Sequence, residues 1–363
     1  MEIKTYAPVI IPTLNRYDHF RQCLESLEKC VGADMTNVYV GLDYPPAEKY
    51  VEGWKKIDAY LKDKVANCSF KNLFVFRRDH NYGAFHSASN DAALRDYVTK
   101  YYDRWIFSED DNIFSPNFLL YMNTCLEKYH GDPDVVQISG YTYPVHWKVS
   151  GGATCLKENV CFSAWGAGFW VDKYSKIQEY IEADELKHKL GEVIRTKSYK
   201  KMIDAATEGY FPAMCSYRGY KKKGKDPWRM CCDFVCRCYL AIENKYVVSP
   251  VISKVRNLGF DGSGITCQTT NEMHGEVAST YNYNEQPLDK SDTFELIEDT
   301  LCDDVANRDI LSAFDYRSPE QMRRAKQLIW ICEHIGLWAA ELYQRTLQPF
   351  ELAKTFYEIK LKR

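Results

Sequence analysis

Trp105-Ile106-Phe107-Ser108-Glu109-Asp110-Asp111-Asn112 runs from a short apolar segment straight into three consecutive acidic residues. The apolar part reads as a buried strand. Three adjacent carboxylates repel one another unless a cation sits among them. Hard divalent cations such as Mn²⁺ or Mg²⁺ take oxygen ligands and share them with phosphates, so a cluster held at a strand end can grip a metal. A solvated acidic turn accounts for these residues equally well when they are read alone.

The flanking pattern favours a strand end. Ala7 to Pro12 is a short buried strand, and Thr13-Leu14-Asn15-Arg16 follows as a polar loop. Between Asp18 and Cys30 the apolar residues Phe20, Cys23, Leu24 and Leu27 fall at helical spacing. Strands are expected over Asn37–Leu42, Leu73–Arg77, Asp103–Phe107 and Val135–Ser139, with helices over Val51–Leu61, Ala84–Lys100 and Pro116–Tyr129. Alternating strands and helices predict a parallel α/β sheet with ligands at the carboxyl ends of its strands. Thr13 to Asn15, Asp43, Arg78 to Asn81 and Glu109 to Asp111 all fall at such ends. Pro250 to Asn257 reads as a further strand. From Ser291 the composition becomes helical, first at Phe294–Asp299 and then over Pro319–Leu347.

Bulk properties exclude several classes. A net charge of −3 gives no global basic field for nucleic acid. The 14 cysteines form no pair of CxxC motifs, and together with the absence of a leader-like start they are expected to be reduced thiols of a cytoplasmic protein. No apolar run approaches the length of a membrane span.

Taken together, the motifs resemble the inverting GT-A glycosyltransferases of family two. Such enzymes open with a strand and a loop like Pro12-Thr13-Leu14-Asn15-Arg16. A second strand ends in Asp, as in Val40-Gly41-Leu42-Asp43, and an Asn-x-Gly segment follows, as in Asn81-Tyr82-Gly83. Glu109-Asp110-Asp111 matches their Asp-x-Asp metal motif. The stretch from Glu109 through Ser115-Pro116-Asn117-Phe118 is also similar to a region of the N-acetylglucosaminyltransferases that build N-glycans. Trp165-Gly166-Ala167-Gly168-Phe169-Trp170 resembles an acceptor-side motif of bacterial members, and Val255 to Gly264 resembles a late motif of a bacterial subgroup. In that subgroup Thr-His-Cys usually follows the late Gly-Ser-Gly. Here Ile265-Thr266-Cys267 stands there, which puts a histidine ligand in doubt.

The resemblance implies a GT-A fold, Rossmann-like, with a mostly parallel sheet flanked by helices and a small helical C-terminal extension. The catalytic domain would span 1–285, with a donor half to about 112 and an acceptor half over 113–285, and the helical domain 286–363. Thr13, Asn15, Arg16, Asp43, Arg78, Asn81 and Asp110 would hold the nucleotide-sugar, with a UDP-sugar the expected donor. Asp111 would be the principal ligand of Mn²⁺ or Mg²⁺, with Glu109 or His274 as further candidates. Inversion needs a base to take the acceptor's proton. Asp233 is the first candidate and Asp226 the second, while helix capping by Asp233 is the plain structural alternative. Trp165, Gly166 and Trp170 would face the acceptor sugar, or else form a buried aromatic cluster.

The activity so implied is hexosyl or N-acetylhexosaminyl transfer to a glycan or lipid-linked acceptor in surface polysaccharide synthesis. Two other classes compete. A nucleotidyltransferase usually carries a Gly-rich loop after the first strand, which Pro12 to Arg16 lacks. A non-catalytic nucleotide- or carbohydrate-binding protein would not need Asp110, Asp111 and Asp233 together. The C-terminal Trp330, Ile331, Ile335, Leu337 and Trp338 suit helix packing, with a peripheral membrane contact at the inner face as the alternative. The oligomeric state is left open.

Overall fold

The computed structural model describes residues 5–84, 88–144, 151–159, 162–183, 185–196, 233–264, 281–300 and 319–344, together with 147, 149 and 346. In chain order the elements are β1 (Val9–Thr13), α1 (Tyr17–Glu28), β2 (Asn37–Leu42), α2 (Val51–Asn67), β3 (Asn72–Arg77), α3 (Asn90–Val98), β4 (Arg104–Phe107), β5 (Asn112–Phe114), α4 (Phe118–Lys128), β6 (Val135–Ser139), β7 (Cys155–Glu158), β8 (Ala167–Trp170), α5 (Val171–Glu182), α6 (Glu185–Thr196), α7 (Asp233–Glu243), β9 (Tyr246–Pro250), β10 (Val255–Asn257), β11 (Glu298–Thr300) and α8 (Pro319–His334). A further helix covers 337–344.

Nine strands form one mixed, mostly parallel sheet in the order β11-β7-β9-β6-β8-β4-β1-β2-β3. The neighbours β4, β1, β2 and β3 are mutually parallel. Side chains alternate between faces along a strand. In β1 both alternating sets are buried, Val9 and Ile11 on one face and Ile10 on the other. A parallel sheet needs that double cover. Phe20, Cys23, Leu24 and Leu27 of α1 join Val9, Ile11, Val38, Val40 and Leu42 in one core. They recur at one helical face, as the spacing predicted. Helix α3 packs on β1 and β2.

Strand β8 runs antiparallel between β4 and β6. Its register sets Ala167 opposite Phe107 and Trp170 opposite Arg104. Trp170 therefore lies at the amino end of β4, fully buried, its indole N–H donating to the Leu126 carbonyl at 3.1 Å.

Three elements differ from the sequence expectation. Helix α3 begins at Asn90, not Ala84, because residues 81–83 are tied down elsewhere and the Asn90 amide donates to the Gly83 carbonyl at 3.1 Å. The run Pro250–Asn257 divides: β9 completes the large sheet, whereas β10 leaves it and pairs antiparallel with β5. Phe294–Asp299 is not helical. The Ile297 carbonyl accepts from the Thr154 and Cys155 amides, and β11 adds in parallel to β7. An open sheet edge offers that segment more backbone pairing than its weak helix propensity can.

The chain divides into two compact units, Met1–Lys176 with Asn244–Tyr316, and Ile177–Glu243 with Arg317–Arg363. The first holds the sheet, and the second is helical among the described residues. Its helices pack through Leu186, Leu190, Ile194, Leu328 and Cys332, all buried. The eight cysteines among the described residues are free thiols. No helix among the described residues is long and apolar enough to cross a membrane.

Gly166 turns the chain into β8 at φ 62°, and a Cβ there would sit 2.6 Å from Val255 Cγ2. Gly166→Ala is expected to cost about 1–3 kcal/mol, because it meets both a disfavoured backbone and a packed wall. Urea unfolding of the two proteins measures the loss.

Candidate active site

The four parallel strands end together, and each end carries a candidate residue. Thr13 closes β1, Asp43 follows β2, Arg78 follows β3, and Glu109 to Asp111 follow β4. Asp110 and Asp111 are buried. Thr13 Oγ1 donates to Asp110 Oδ2 at 2.8 Å. The Arg16 guanidinium reaches both acids: Nη2 hydrogen-bonds Asp110 Oδ1, and Nη1 forms an ion pair with Asp111 Oδ2 at 2.7 Å. Burial works against the charge on Arg16, but Asp110 and Asp111 outweigh it and hold its pKa above the usual value. Burial pushes the Asp110 carboxyl up; Arg16 opposes that and Asp111 adds to it. The third acid, Glu109, is half-buried, and its carbonyl accepts from Ser108 Oγ at 2.8 Å.

The other oxygen of Asp111 is held from a distant part of the chain. The pairing of β10 with β5 sets Asn257 opposite Asn112. From there Asn257 Nδ2 donates to Asp111 Oδ1 at 2.6 Å and to Asn112 Oδ1 at 3.1 Å. The Leu258 amide caps the Asp111 carbonyl at 2.8 Å. Gly259 follows, where any Cβ would collide with Asp111 Oδ2. Asp261 then reaches back to His19 of α1, Oδ2 to Nε2 at 3.1 Å.

A second cluster surrounds Asp43, whose amide donates to the Thr13 carbonyl at 2.9 Å. Its Oδ1 accepts from the Tyr44 and Tyr82 amides at 2.9 and 2.8 Å. Its Oδ2 accepts from the Gly83 amide at 2.9 Å and from Asn81 Nδ2 at 3.2 Å. A carboxylate has about four acceptor positions. Asp43 therefore spends its capacity on fixing the 81–83 segment beside the strand ends. Arg78 lies alongside, its Nε donating to Asn90 Oδ1 at 2.9 Å and its guanidinium 4.6 Å from the Tyr82 ring. Burial lowers the Arg78 pKa. Asn15 contributes backbone, its carbonyl accepting from the Tyr17 amide at 3.0 Å.

Trp165 is half-buried and sits edge-on to Tyr141 at 4.7 Å and to Phe260 at 5.6 Å. Phe260 stacks on Tyr283 at 4.3 Å. The chain from Asn257 to Phe260 thus joins an aromatic wall to the acidic pair. Gly166 belongs to the same corner, its carbonyl accepting from the Gly140 amide at 2.8 Å. Trp170 does not join them: it is a core residue at the opposite end of β4. Asp233 opens α7 in the second unit, and its side chain lies outside the described residues, as do Asp226 and His274.

Asp110 and Asp111 supply the hard oxygen donors that a small divalent cation prefers. One guanidinium against two carboxylates leaves them a net negative charge. Gly259 keeps side-chain carbon away from Asp111 Oδ2. These features fit such a cation. Among the described residues no three His, Cys, Asp or Glu side chains converge.

Sequence reasoning missed Asn257, Gly259 and Phe260 as parts of this site, although the segment containing them had been singled out. It also missed Asn90, which braces Arg78 and donates to the Gly41 carbonyl at 2.7 Å. For the first three the available signal was the Asn-Leu-Gly segment itself. For Asn90 there was none.

No protein-family model matches the chain, and no curated protein matches it. Among solved structures, it is similar to the mannosyltransferase PcManGT from Pyrobaculum calidifontis in complex with GDP-Man and Mn²⁺, with 14% identity over 47% of this chain and 46% of that one, at a TM-score of 0.32. It is also similar to S. aureus TarS 1-349 in complex with UDP-GlcNAc, with 17% identity over 45% of each chain, at a TM-score of 0.31. The chain spans about half the length of these structures or less.

Two substitutions probe the site. Asp43→Asn keeps one acceptor oxygen and turns a donor toward backbone N–H groups, so a loss of about 1–3 kcal/mol is expected in chemical unfolding. Arg16→Ala leaves two buried carboxylates without their counter-charge. A loss of about 3 kcal/mol or more is expected, and Mn²⁺ should restore part of it in the variant's melting curve.

Proposed function

We propose that the chain is an inverting, metal-dependent glycosyltransferase that moves a hexosyl or N-acetylhexosaminyl group from a UDP-sugar to a glycan or lipid-linked acceptor in surface polysaccharide synthesis, at the cytoplasmic side. The observation that carries this reading is the buried Asp110–Asp111 pair at the end of β4, surrounded by oxygen and amide groups and beside the ends of β1, β2 and β3. Such a crevice suits a nucleotide. Bound Mn²⁺ or Mg²⁺ would supply Lewis-acid neutralisation of the leaving diphosphate.

The chain's own groups do the rest. Asp111, held in orientation by Asn257, would be the principal metal ligand, with Glu109 or His274 as further candidates. With a cation held by the acids, Arg16 would be available to carry a positive charge toward the diphosphate. Asp110 and Thr13 border the ribose, and Asn15 contributes its loop. Asp43 positions Asn81 and the 81–83 backbone against the nucleoside, while Arg78 offers a second cation for the phosphates. Trp165 stacks on the acceptor sugar at the corner formed by Gly166. Asp233, or Asp226 in its place, takes the proton from the acceptor hydroxyl as that oxygen attacks the anomeric carbon. The domain division in this reading is a catalytic part over 1–285 and a helical part over 286–363.

One observation favours a second reading. Arg16 already stands between the two carboxylates, which is also how a site that binds nucleotide without metal would be arranged.

Thermal unfolding with UDP and GDP, in Mn²⁺ or in EDTA, separates the readings. A ligand at about 100 times its Kd stabilises by about 2.7 kcal/mol. UDP should raise the midpoint only with Mn²⁺, and Asp111→Ala should lose both that shift and at least about 100-fold in transfer rate. A shift that persists in EDTA supports the metal-free reading. No shift under any condition removes the transferase assignment.

A further inference from the structure

The ribbon that holds Asn257 against Asp111 is short. Strand β10 meets β5 at three residue pairs, Val255 with Phe114, Arg256 with Ile113 and Asn257 with Asn112. Successive side chains of a strand point to opposite faces. Asn257 faces Asp111, so Arg256 faces away from it. A slip of one residue would exchange the two. That error is electrostatically attractive. Arg256 is half-buried, and its buried Nε has no hydrogen-bond partner among the described residues. Beside Asp111 its guanidinium would join Arg16, and two cations would cancel the charges of Asp110 and Asp111. A divalent cation would then find no net negative charge to bind.

Backbone hydrogen bonds do little to prevent the slip. The Lys254 amide donates to the Gly140 carbonyl at 2.8 Å, and its carbonyl accepts from the Ser115 amide at 2.9 Å. Such groups are alike at every residue, so these bonds can re-form one position along. The Lys254 side chain is different. It is 4% exposed and forms an ion pair with Asp289. Its ammonium lies 5.8 Å from the Tyr121 ring and 5.5 Å from the Phe294 ring. Burial lowers the Lys254 pKa, and Asp289 opposes that. Asp289 is itself fixed. Its amide donates to the Ser253 carbonyl at 3.0 Å, its Oδ2 accepts from Asn117 Nδ2 at 3.0 Å and its Oδ1 accepts from the Ser291 amide at 2.9 Å. One position along the strand, Ser253 or Val255 would enter this socket, and neither carries a charge for Asp289. Apolar residues of similar size often replace a buried ion pair without loss of stability, so stability alone does not account for the pair.

We propose that the Lys254–Asp289 ion pair is a positioning device for the acidic site. It fixes the register of β10 on β5, and so decides that Asp111 meets the Asn257 amide and not the Arg256 guanidinium. A slip would leave the Asp289 carboxylate without its counter-charge, a penalty that opposes the attraction of Arg256 for Asp111. Lys254 and Asp289 act through Asn257, not on a ligand. Their bearing on catalysis rests on the reading of Asp111 as the metal ligand.

The double variant Lys254→Met/Asp289→Asn tests the proposal in the full chain. It removes both charges, nearly preserves side-chain size and keeps an acceptor for the Ser291 amide. Its melting midpoint should stay close to that of the wild type. Mn²⁺ is titrated in the presence of UDP, with the free ion followed by electron paramagnetic resonance. The double variant should bind Mn²⁺ at least about tenfold more weakly than the wild type. Adding Arg256→Gln to it should restore most of that affinity, because the competing cation is gone. Hydrogen exchange gives a readout without metal. The Leu258 amide, which donates to the Asp111 carbonyl at 2.8 Å, should exchange at least about tenfold faster in the double variant, while the amides of β1 and β2 keep their protection. The proposal is overturned if the double variant binds Mn²⁺ as the wild type does, if the Leu258 amide keeps its protection, or if Arg256→Gln restores nothing. A double variant that melts well below the wild type assigns the pair to stability and also overturns it. A wild type that binds no Mn²⁺ removes the metal reading of Asp111 instead, and the Leu258 amide then decides the register by itself.

Discussion

Arg16 stands between two buried carboxylates that could not share the end of β4 without a counter-charge. Two like charges a few ångströms apart repel by several kcal/mol at the effective dielectric of a protein. The guanidinium converts that repulsion into two attractions, and in doing so it joins the loop after β1 to the loop after β4. Thr13 and Asn257 take the outer oxygens, so the orientation of both carboxylates is set from three separate parts of the chain. The same pairing leaves one negative charge uncompensated. That residual charge makes the cluster receptive to a cation instead of closed around its own.

The sheet makes such a convergence possible. Parallel neighbours β4, β1, β2 and β3 bring their carboxyl ends to one edge, so residues far apart in sequence arrive at the same rim. The antiparallel pairing of β10 with β5 returns Val255–Asn257 directly alongside Asn112–Phe114. Through that ribbon the acidic pair acquires Asn257, the close approach of Gly259 and the aromatic wall that starts at Phe260. Two kinds of strand pairing thus bring together the residues around the acidic pair.

Asp43 illustrates a division of labour that residue type alone does not reveal. An aspartate at a strand end suggests a ligand contact, yet its oxygens are engaged by four groups of its own chain. Its effect on a nucleotide would pass through the backbone it orders. Trp170 makes the complementary point. A tryptophan in a Gly-rich motif suggests a sugar platform, but the register of β8 carries it to the buried end of β4. Trp165, five residues earlier, stays at the rim.

The amino-acid sequence by itself determined the alternation of strands and helices, the apolar face of α1 and the placing of Thr13, Asp43, Arg78 and Asp110–Asp111 at strand ends. Those features are local: side-chain period and the polarity of the residue after a strand do not depend on distant partners. Tertiary structure decided the rest. It turned Phe294–Asp299 from a helical composition into an extended edge, because an unpaired strand offered backbone hydrogen bonds that propensity could not match. It delayed α3 until Asn90, because residues 81–83 were held by Asp43. It joined Asn257 to Asp111 across 146 residues. Register and loop closure link positions that no local pattern connects, and they become fixed only when the whole sheet has formed.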